Sequence, residues 1–335
     1  MEQNNTTIEM INGLSEIADY MNDEELTTAL TFIAKVILKP DIPLNVSRSY
    51  LQSDGNVKKI SAHITKKVAD KLAEMFKKDR ADFEAKWPDL QVFVQYGMLS
   101  EEKFAEKAKD FSLFKTTDNE CFTLQEYLDK VKVLQTDKNN KTVFLYTNDA
   151  EEQYAFVKKA KERGYSVLLL DGPLAPHWIS KLEQTNENIS FARVDADSLD
   201  KLIAKTDELP SKLSKEEEEK LKPIFEAQIN KEKFTVQFES MSEQEAPIII
   251  TQPEFIRRMM EQQKLGGGGG FYGAFPEMFN LTVNANHPAI GKLFSQEAAA
   301  QEQSTKQLVD LAMLAQGLLK GAALDAFIQR NIEHI

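Results

Sequence analysis

The chain reads as a mixed α+β and α/β protein: a helical segment, a small α/β/α subdomain with a short parallel sheet, then an α+β domain ending in helices. Three observations predict this. Apolar residues recur at helical spacing over residues 7–38 and again after residue 57. Short apolar runs alternate with helical stretches between residues 123 and 200, and the last hundred or so residues mix strand-like alternation with two apolar helices. With 335 residues, 42% of them hydrophobic, the chain can fill the cores of about two or three domains. The expected segments are 1–38, 39–115, 116–208 and 209–335.

Residues 7–38 place Ile8, Ile11, Leu14, Ile17 and Met21, then Leu26, Leu30, Ile33 and Ile37, on stripes interrupted at Asn22-Asp23, which predicts a helical hairpin. Pro40 and Pro43 then bias the backbone away from helix, while Asn45 and Ser47 offer side-chain oxygens to cap the helix that follows. Arg48 therefore falls at a loop-to-helix junction. Its permanently charged fork suits phosphate oxygens, and pairing with a neighbouring carboxylate is the simpler use of the same group. Over residues 57–76, Val57, Ile60, Ile64, Val68, Leu72, Met75 and Phe76 form one stripe, and lysines take most of the other faces. His63 lies beside that stripe without a second ligand-type side chain at metal spacing, so packing is expected of it. Residues 80–96 are expected to be helical, divided by Pro88, with Phe83, Trp87, Phe93 and Tyr96 in the core.

Beyond residue 123 the rhythm changes. Helices are expected at 124–131 and 151–163 and strands at 142–146, 166–170 and 189–194, the pattern of a parallel sheet with helices on its faces. Such a sheet invites a nucleotide, but the turn Thr147-Asn148-Asp149 lacks the glycines that let a backbone approach phosphate, so it reads as scaffold. Ser214 with Glu217 predicts a capping box, and the acids at 216–219 suit a helix start better than a metal site. Strands are expected at 234–239, 246–251 and 279–284.

The helix expected over 253–264 carries an apolar stripe of Phe255, Ile256, Met259 and Met260 opposite Arg257, Glu261 and Gln262. A Met-rich face adapts to varied apolar partners, and ordinary core packing fits the same pattern equally well. The five glycines at 266–270 read as a linker, because Phe271-Tyr272-Gly273 stands where a phosphate loop would need Gly-Lys-Ser/Thr. Asn286-His287-Pro288 leads into a helix containing Ile290, Leu293 and Phe294, with His287 at its entry. Two helices, 305–320 and 322–332, close the chain. The stripe of Leu308, Leu311, Ala312, Ala315 and Leu319 and that of Leu324, Phe327 and Ile328 have little core of their own to cover and would gain most by pairing with a second copy.

A formal charge of −12 argues against nucleic acid as a principal partner. No apolar run approaches the roughly 20 residues of a membrane span, and the amino terminus lacks a charged-then-apolar signal pattern. Cys121 is the single cysteine, which precludes an intrachain disulfide and suits a reducing cytoplasm; no metal site is expected.

The run PDIPLNVSRSYLQSD at 40–54, followed by Val57-Lys58-Lys59-Ile60 and the lysine-rich helix, resembles the catalytic-loop region in the middle domain of heat-shock protein 90 chaperones. It is most similar to their bacterial high-temperature protein G type. The strand, Asn286-His287-Pro288 and helix run resembles the same family's carboxy-terminal domain. The resemblance covers about residues 40–333, leaving residues 1–38 outside it and the family's amino-terminal ATPase domain missing. It implies that Arg48 reaches the terminal phosphate of ATP, and that Gln52 assists, only when an amino-terminal domain is present; Ser49 stands where members often have Glu. No ATPase activity is therefore expected of the chain alone, and no cofactor, ATP and magnesium belonging to the full-length family.

The resemblance further implies a homodimer made through the tail helices as a four-helix bundle. It places unfolded or partly folded client proteins against Phe255, Ile256, Met259 and Met260 and the adjacent Phe271, Tyr272 and Phe275. The ending Glu333-His334-Ile335 lacks the acidic tail by which eukaryotic members recruit tetratricopeptide co-chaperones, so no such docking is expected. The expected function is that of a chaperone fragment. Its rivals are a trans-acting part of a split ATPase supplying Arg48, and a dimerising scaffold for the amino-terminal helical module.

Overall fold

The computed structural model describes residues 55–205, 209–265 and 277–333, with the side chains of 55–62 and 261–265 excepted. The hairpin expected over 1–38, the loop bearing Arg48 and Gln52, and the aromatics Phe271, Tyr272 and Phe275 lie outside the described residues. The chain divides into one unit ending at Thr65 and a second running from Lys66 to Ile335. Helix α1 (Gly55–Lys78) leads into the second unit.

Helix α2 (Arg80–Ser100) is continuous through Pro88, where the proline predicts a division. Asp79 caps it by accepting from the Asp82 N–H, and Phe83, Trp87, Val94 and Met98 are buried on both sides of the proline. Tertiary packing of that face outweighs the hydrogen bond the proline forgoes. Phe93 and Tyr96, expected in the core, are instead 62% and 65% exposed, because they lie off the stripe that Phe83, Trp87, Val94 and Met98 share.

After α3 (Glu102–Ala108) come β1 (Phe114–Thr116), β2 (Cys121–Phe122) and α4 (Leu124–Gln135). Then follow β3 (Thr142–Thr147), α5 (Tyr154–Glu162), β4 (Val167–Leu169), α6 (Ala175–Thr185), β5 (Ile189–Arg193) and α7 (Leu199–Leu202). The sheet order is β2-β1-β4-β3-β5. β3 is parallel to β4 and β5, as the alternating pattern predicts, while β1 joins antiparallel to β2 and β4. One face of the sheet carries an aromatic core in which Phe114 stacks on Trp178 at 4.6 Å and Phe144 meets Tyr127 edge-on at 4.7 Å. That core is continuous from Ala69 on α1 to Phe191 on β5, passing residue 115 without a break. Val143, Leu145, Val157 and Val194 fill the opposite face.

The remaining elements are α8 (Lys215–Glu226), β6 (Phe234–Glu239), β7 (Ile248–Thr251), α9 (Glu254–Leu265), β8 (Phe279–Asn284), α10 (Pro288–Leu293), α11 (Ala298–Ala315) and α12 (Gly321–Ile332). The Ser214–Glu217 capping box forms in both directions. His287 enters α10 by accepting the Ala289 N–H at Nδ1, the helix-entry role the sequence suggested. β8 lies between β6, parallel, and β7, antiparallel. Leu221, Phe225, Val236, Ile250, Leu281, Ile290 and Val309 build the second main core.

At the start of α4, Glu126 closes a capping box with Thr123 and receives both guanidinium branches of Arg80, at 2.5 and 2.8 Å. The Arg80 hydrogen bond, foremost, lowers the Glu126 carboxyl from 4.5 to about 2. A depressed folded pKa stabilises the fold fully above the unfolded value near 4.5, and that contribution fades as pH falls toward 2. The two side chains are 39% and 42% exposed, so the stabilisation is at most about 1 kcal/mol. Urea midpoints measured between those pH values should fall less steeply in Glu126→Gln than in the unmodified chain; parallel curves would show that the pair does not couple to folding.

Candidate functional site

The doubly wound part of the sheet has its topological switch point between β3 and β5, where a ligand would be sought beyond the strands' carboxyl ends. Side chains of the chain itself satisfy it. Arg193, at the end of β5, makes a two-point ion pair with Asp195 at 2.5 and 2.9 Å and donates to Asn148 at 3.4 Å. Gln153 donates to Asp195, and Thr147 donates to Gln153. The Asp149 carboxylate accepts the N–H groups of Glu151 and Glu152 ahead of α5, the donors a phosphate would need there. The polar groups at this turn are thus taken up by the chain's own side chains. Among the described residues, no group of His, Cys, Asp and Glu side chains is arranged to hold a metal ion.

The other side of β5 is the informative one. β5 is an edge strand, whose outward N–H and C=O groups need partners. The Phe191 N–H donates to Glu183 Oε1 of α6 at 2.7 Å, and its carbonyl accepts Arg258 Nη2 of α9 at 2.7 Å. The Arg193 N–H approaches Glu254 Oε2 of α9 at 3.4 Å. Arg258 reaches Glu183 at 2.6 Å and Glu254 at 2.7 Å, while Arg257 bonds Glu254 at 2.5 Å and the Tyr146 hydroxyl. Tyr146, near the end of β3, donates to Glu254 Oε1 at 2.9 Å, and the Arg257 guanidinium lies 5.5 Å from its ring centroid. Burial acts to raise the Glu254 carboxyl, but the charges and hydrogen bonds of Arg257 and Arg258 outweigh it and hold the group below its usual range. Burial, and then the neighbouring Glu254 charge, push the Tyr146 phenol up, so it remains a donor.

Of the two orientations the stripe of α9 allowed, this arrangement turns the side carrying Glu254, Arg257 and Arg258 inward. Arg257, opposite the apolar stripe, is 3% exposed, whereas Phe255 is 71% exposed and Ile256, Met259 and Met260 are half-buried. The reason lies in the surface α9 meets: an edge strand and α6 offer main-chain groups and Glu183, which a charged face satisfies and an apolar one would leave unpaired. A local signal existed in Glu254 with Arg257 and Arg258 at i+3 and i+4, but its partners Tyr146 and Glu183 become neighbours only in the folded chain. A second set of ion pairs links the same two parts, Glu245 before β7 receiving Lys159 at 2.8 Å and Arg163 at 2.6 Å from α5 and the residue that ends it.

The residues picked on the tail helices separate into two groups. Ala312, Leu319 and Phe327 are buried within the chain, and Leu308 and Leu324 are half-buried. Leu311 and Ile328 remain 46% and 44% exposed and Ala315 is exposed, with Leu314 and Ile332 beside them at 42% and 56%. No helix among the described residues is long and apolar enough to cross a membrane.

The Hsp90 protein family profile matches residues 16–326. That match opens inside the segment 1–38, so residues 16–38 fall within the family match instead of outside the resemblance. The chaperone protein HtpG of Porphyromonas gingivalis is 50% identical over 282 residues, 83% of this chain and 41% of the relative. HtpG of Bacteroides thetaiotaomicron is 38% identical over 374 residues, 91% of this chain and 55% of the relative. That of Bdellovibrio bacteriovorus is 24% identical over 294 residues, 86% and 46% respectively. The chain spans about half, or less, of the length of these curated relatives.

Proposed function

Because the chain belongs to the heat-shock protein 90 family, in its bacterial HtpG type, we propose that it is the client-holding and dimerising part of such a chaperone. Unfolded or partly folded proteins rest on the outward face of α9, and two copies pair through α11 and α12. One observation carries the reading: α9 turns Glu254, Arg257 and Arg258 inward and leaves Phe255, at 71% exposure, together with the half-buried Ile256, Met259 and Met260, on the side away from β5. An apolar, methionine-rich face supported from behind by ion pairs can repack against clients of varied shape. Phe271, Tyr272 and Phe275 follow it closely in sequence and would extend the same surface.

Replacing Met259 and Met260 by glutamate should cut suppression of aggregation of a thermally unfolded model enzyme several-fold, since a charge costs about 1–3 kcal/mol wherever an apolar contact is lost. The molar mass of the chain should not change. Full suppression by the double variant would remove α9 as the client surface.

A further inference from the structure

We infer that Glu254, Arg257 and Arg258 are positioning residues: by clamping the charged side of α9 to edge strand β5, to Glu183 and to Tyr146, they fix the rotation of the helix about its axis and so keep Phe255 turned outward. The inference deepens the client-holding reading and rests on it for its functional meaning.

An amphipathic helix beside an aromatic core would ordinarily turn its apolar stripe in. Here the surface of β5 and α6 rewards the opposite orientation. The Phe191 carbonyl and N–H and the Arg193 N–H take charged partners from α6 and α9 in the place of a further strand, and Tyr146 hydrogen-bonds both Glu254 and Arg257. Glu254 is the hub, its carboxylate meeting Tyr146, the Arg193 N–H and both arginines. None of these groups reaches the outward face, so they act on a bound client only through the orientation of Phe255. With the charges removed, the ion pairs that favour this orientation are lost, and burial of Phe255, Ile256 and Met259 against β5 and α6 outweighs the main-chain groups left to water, so the apolar stripe turns in. The clamp also blunts the β5 edge, which an extended chain would otherwise find open.

Hydroxyl-radical footprinting read by mass spectrometry reports the exposure of Phe255 without replacing it. In the full chain carrying Glu254→Ala, Arg257→Leu and Arg258→Leu together, modification of Phe255 should slow by about tenfold, as its exposure falls from 71% toward the few per cent of the buried side chains. Arg258→Lys alone, which keeps a donor toward Glu183 and Glu254, should retain the original rate. A Phe255 rate within twofold of the unmodified chain in the triple variant overturns the clamp. Should the triple variant fail to fold, Glu254→Gln decides: it keeps the shape but loses the charge, and the Phe255 rate must fall in it too, or the inference is wrong. Aggregation suppression is scored separately. A slowed Phe255 with undiminished suppression would leave the clamp standing and sink the client-face reading; an unchanged Phe255 would sink the clamp whatever the suppression.

Discussion

Substituting glutamate for Leu311 and Ile328 together is expected to turn a dimeric chain into a monomer, with little change in its stability. The two positions lie on α11 and α12 at 46% and 44% exposure, and Leu314 and Ile332 beside them are 42% and 56% exposed. Leu311, Leu314 and Ala315 fall at i, i+3 and i+4, and Ile328 and Ile332 at i and i+4, so each helix presents one apolar side. In a two-fold interface the same patch meets itself, so each substitution places two carboxylates in the apolar interface, one from each copy. With two such sites the dissociation constant should rise by at least about a hundredfold, the equivalent of roughly 3 kcal/mol. Molar mass from light scattering across a dilution series reads this directly. Deleting the tail after Gln303 would be a poorer test, because Val309 and Ala312 belong to the core shared with β7 and β8, and their loss would unfold the domain along with the interface. A double variant that remains dimeric would place the contact between copies on another surface.

Where an element depends on local rules, its residues announce it. The Ser214–Glu217 box, the strands 234–239 and 279–284 and the entry at His287 stand as their residues predict, since capping, alternation and a proline-led helix start need nothing distant. β1 and β2 are three and two residues long, too short to show a period, and they exist because Lys115 pairs with Leu169 far along the chain. Pro88 misleads for a related reason: the aromatic core of α2 overrides a local rule. The candidate site is legible in part. The spacing of Phe255, Ile256, Met259 and Met260 marks an apolar stripe, but which side of α9 faces inward depends on β5 being an edge strand, a property of sheet order that no single stretch encodes. The division of the tail residues into Ala312, Leu319 and Phe327, buried, and Leu311 and Ile328, exposed, is hidden from sequence in the same way.

Trp178→Ala should cost about 3–5 kcal/mol of stability and Trp178→Phe only about 1. Trp178 is 1% exposed and stacks on Phe114 at 4.6 Å, between α6 and β1, so alanine leaves a cavity bounded by the ring that holds the antiparallel strand in place. The indole N–H has no hydrogen-bond partner among the described residues. Phenylalanine therefore removes a buried unpaired donor, and that gain offsets part of the lost volume. Urea unfolding followed by the fluorescence of Trp87, which belongs to the same core, reads both variants on one scale. The consequence reaches α9, since the helix that Trp178 anchors also carries Glu183, the partner of Arg258 and of the Phe191 N–H. Trp178→Ala should therefore raise hydrogen exchange at the Phe191 amide beyond what the global loss of stability accounts for. If Phe191 exchanges in step with the rest of the sheet, the aromatic core and the α9 support are independent, and α6 does not connect them.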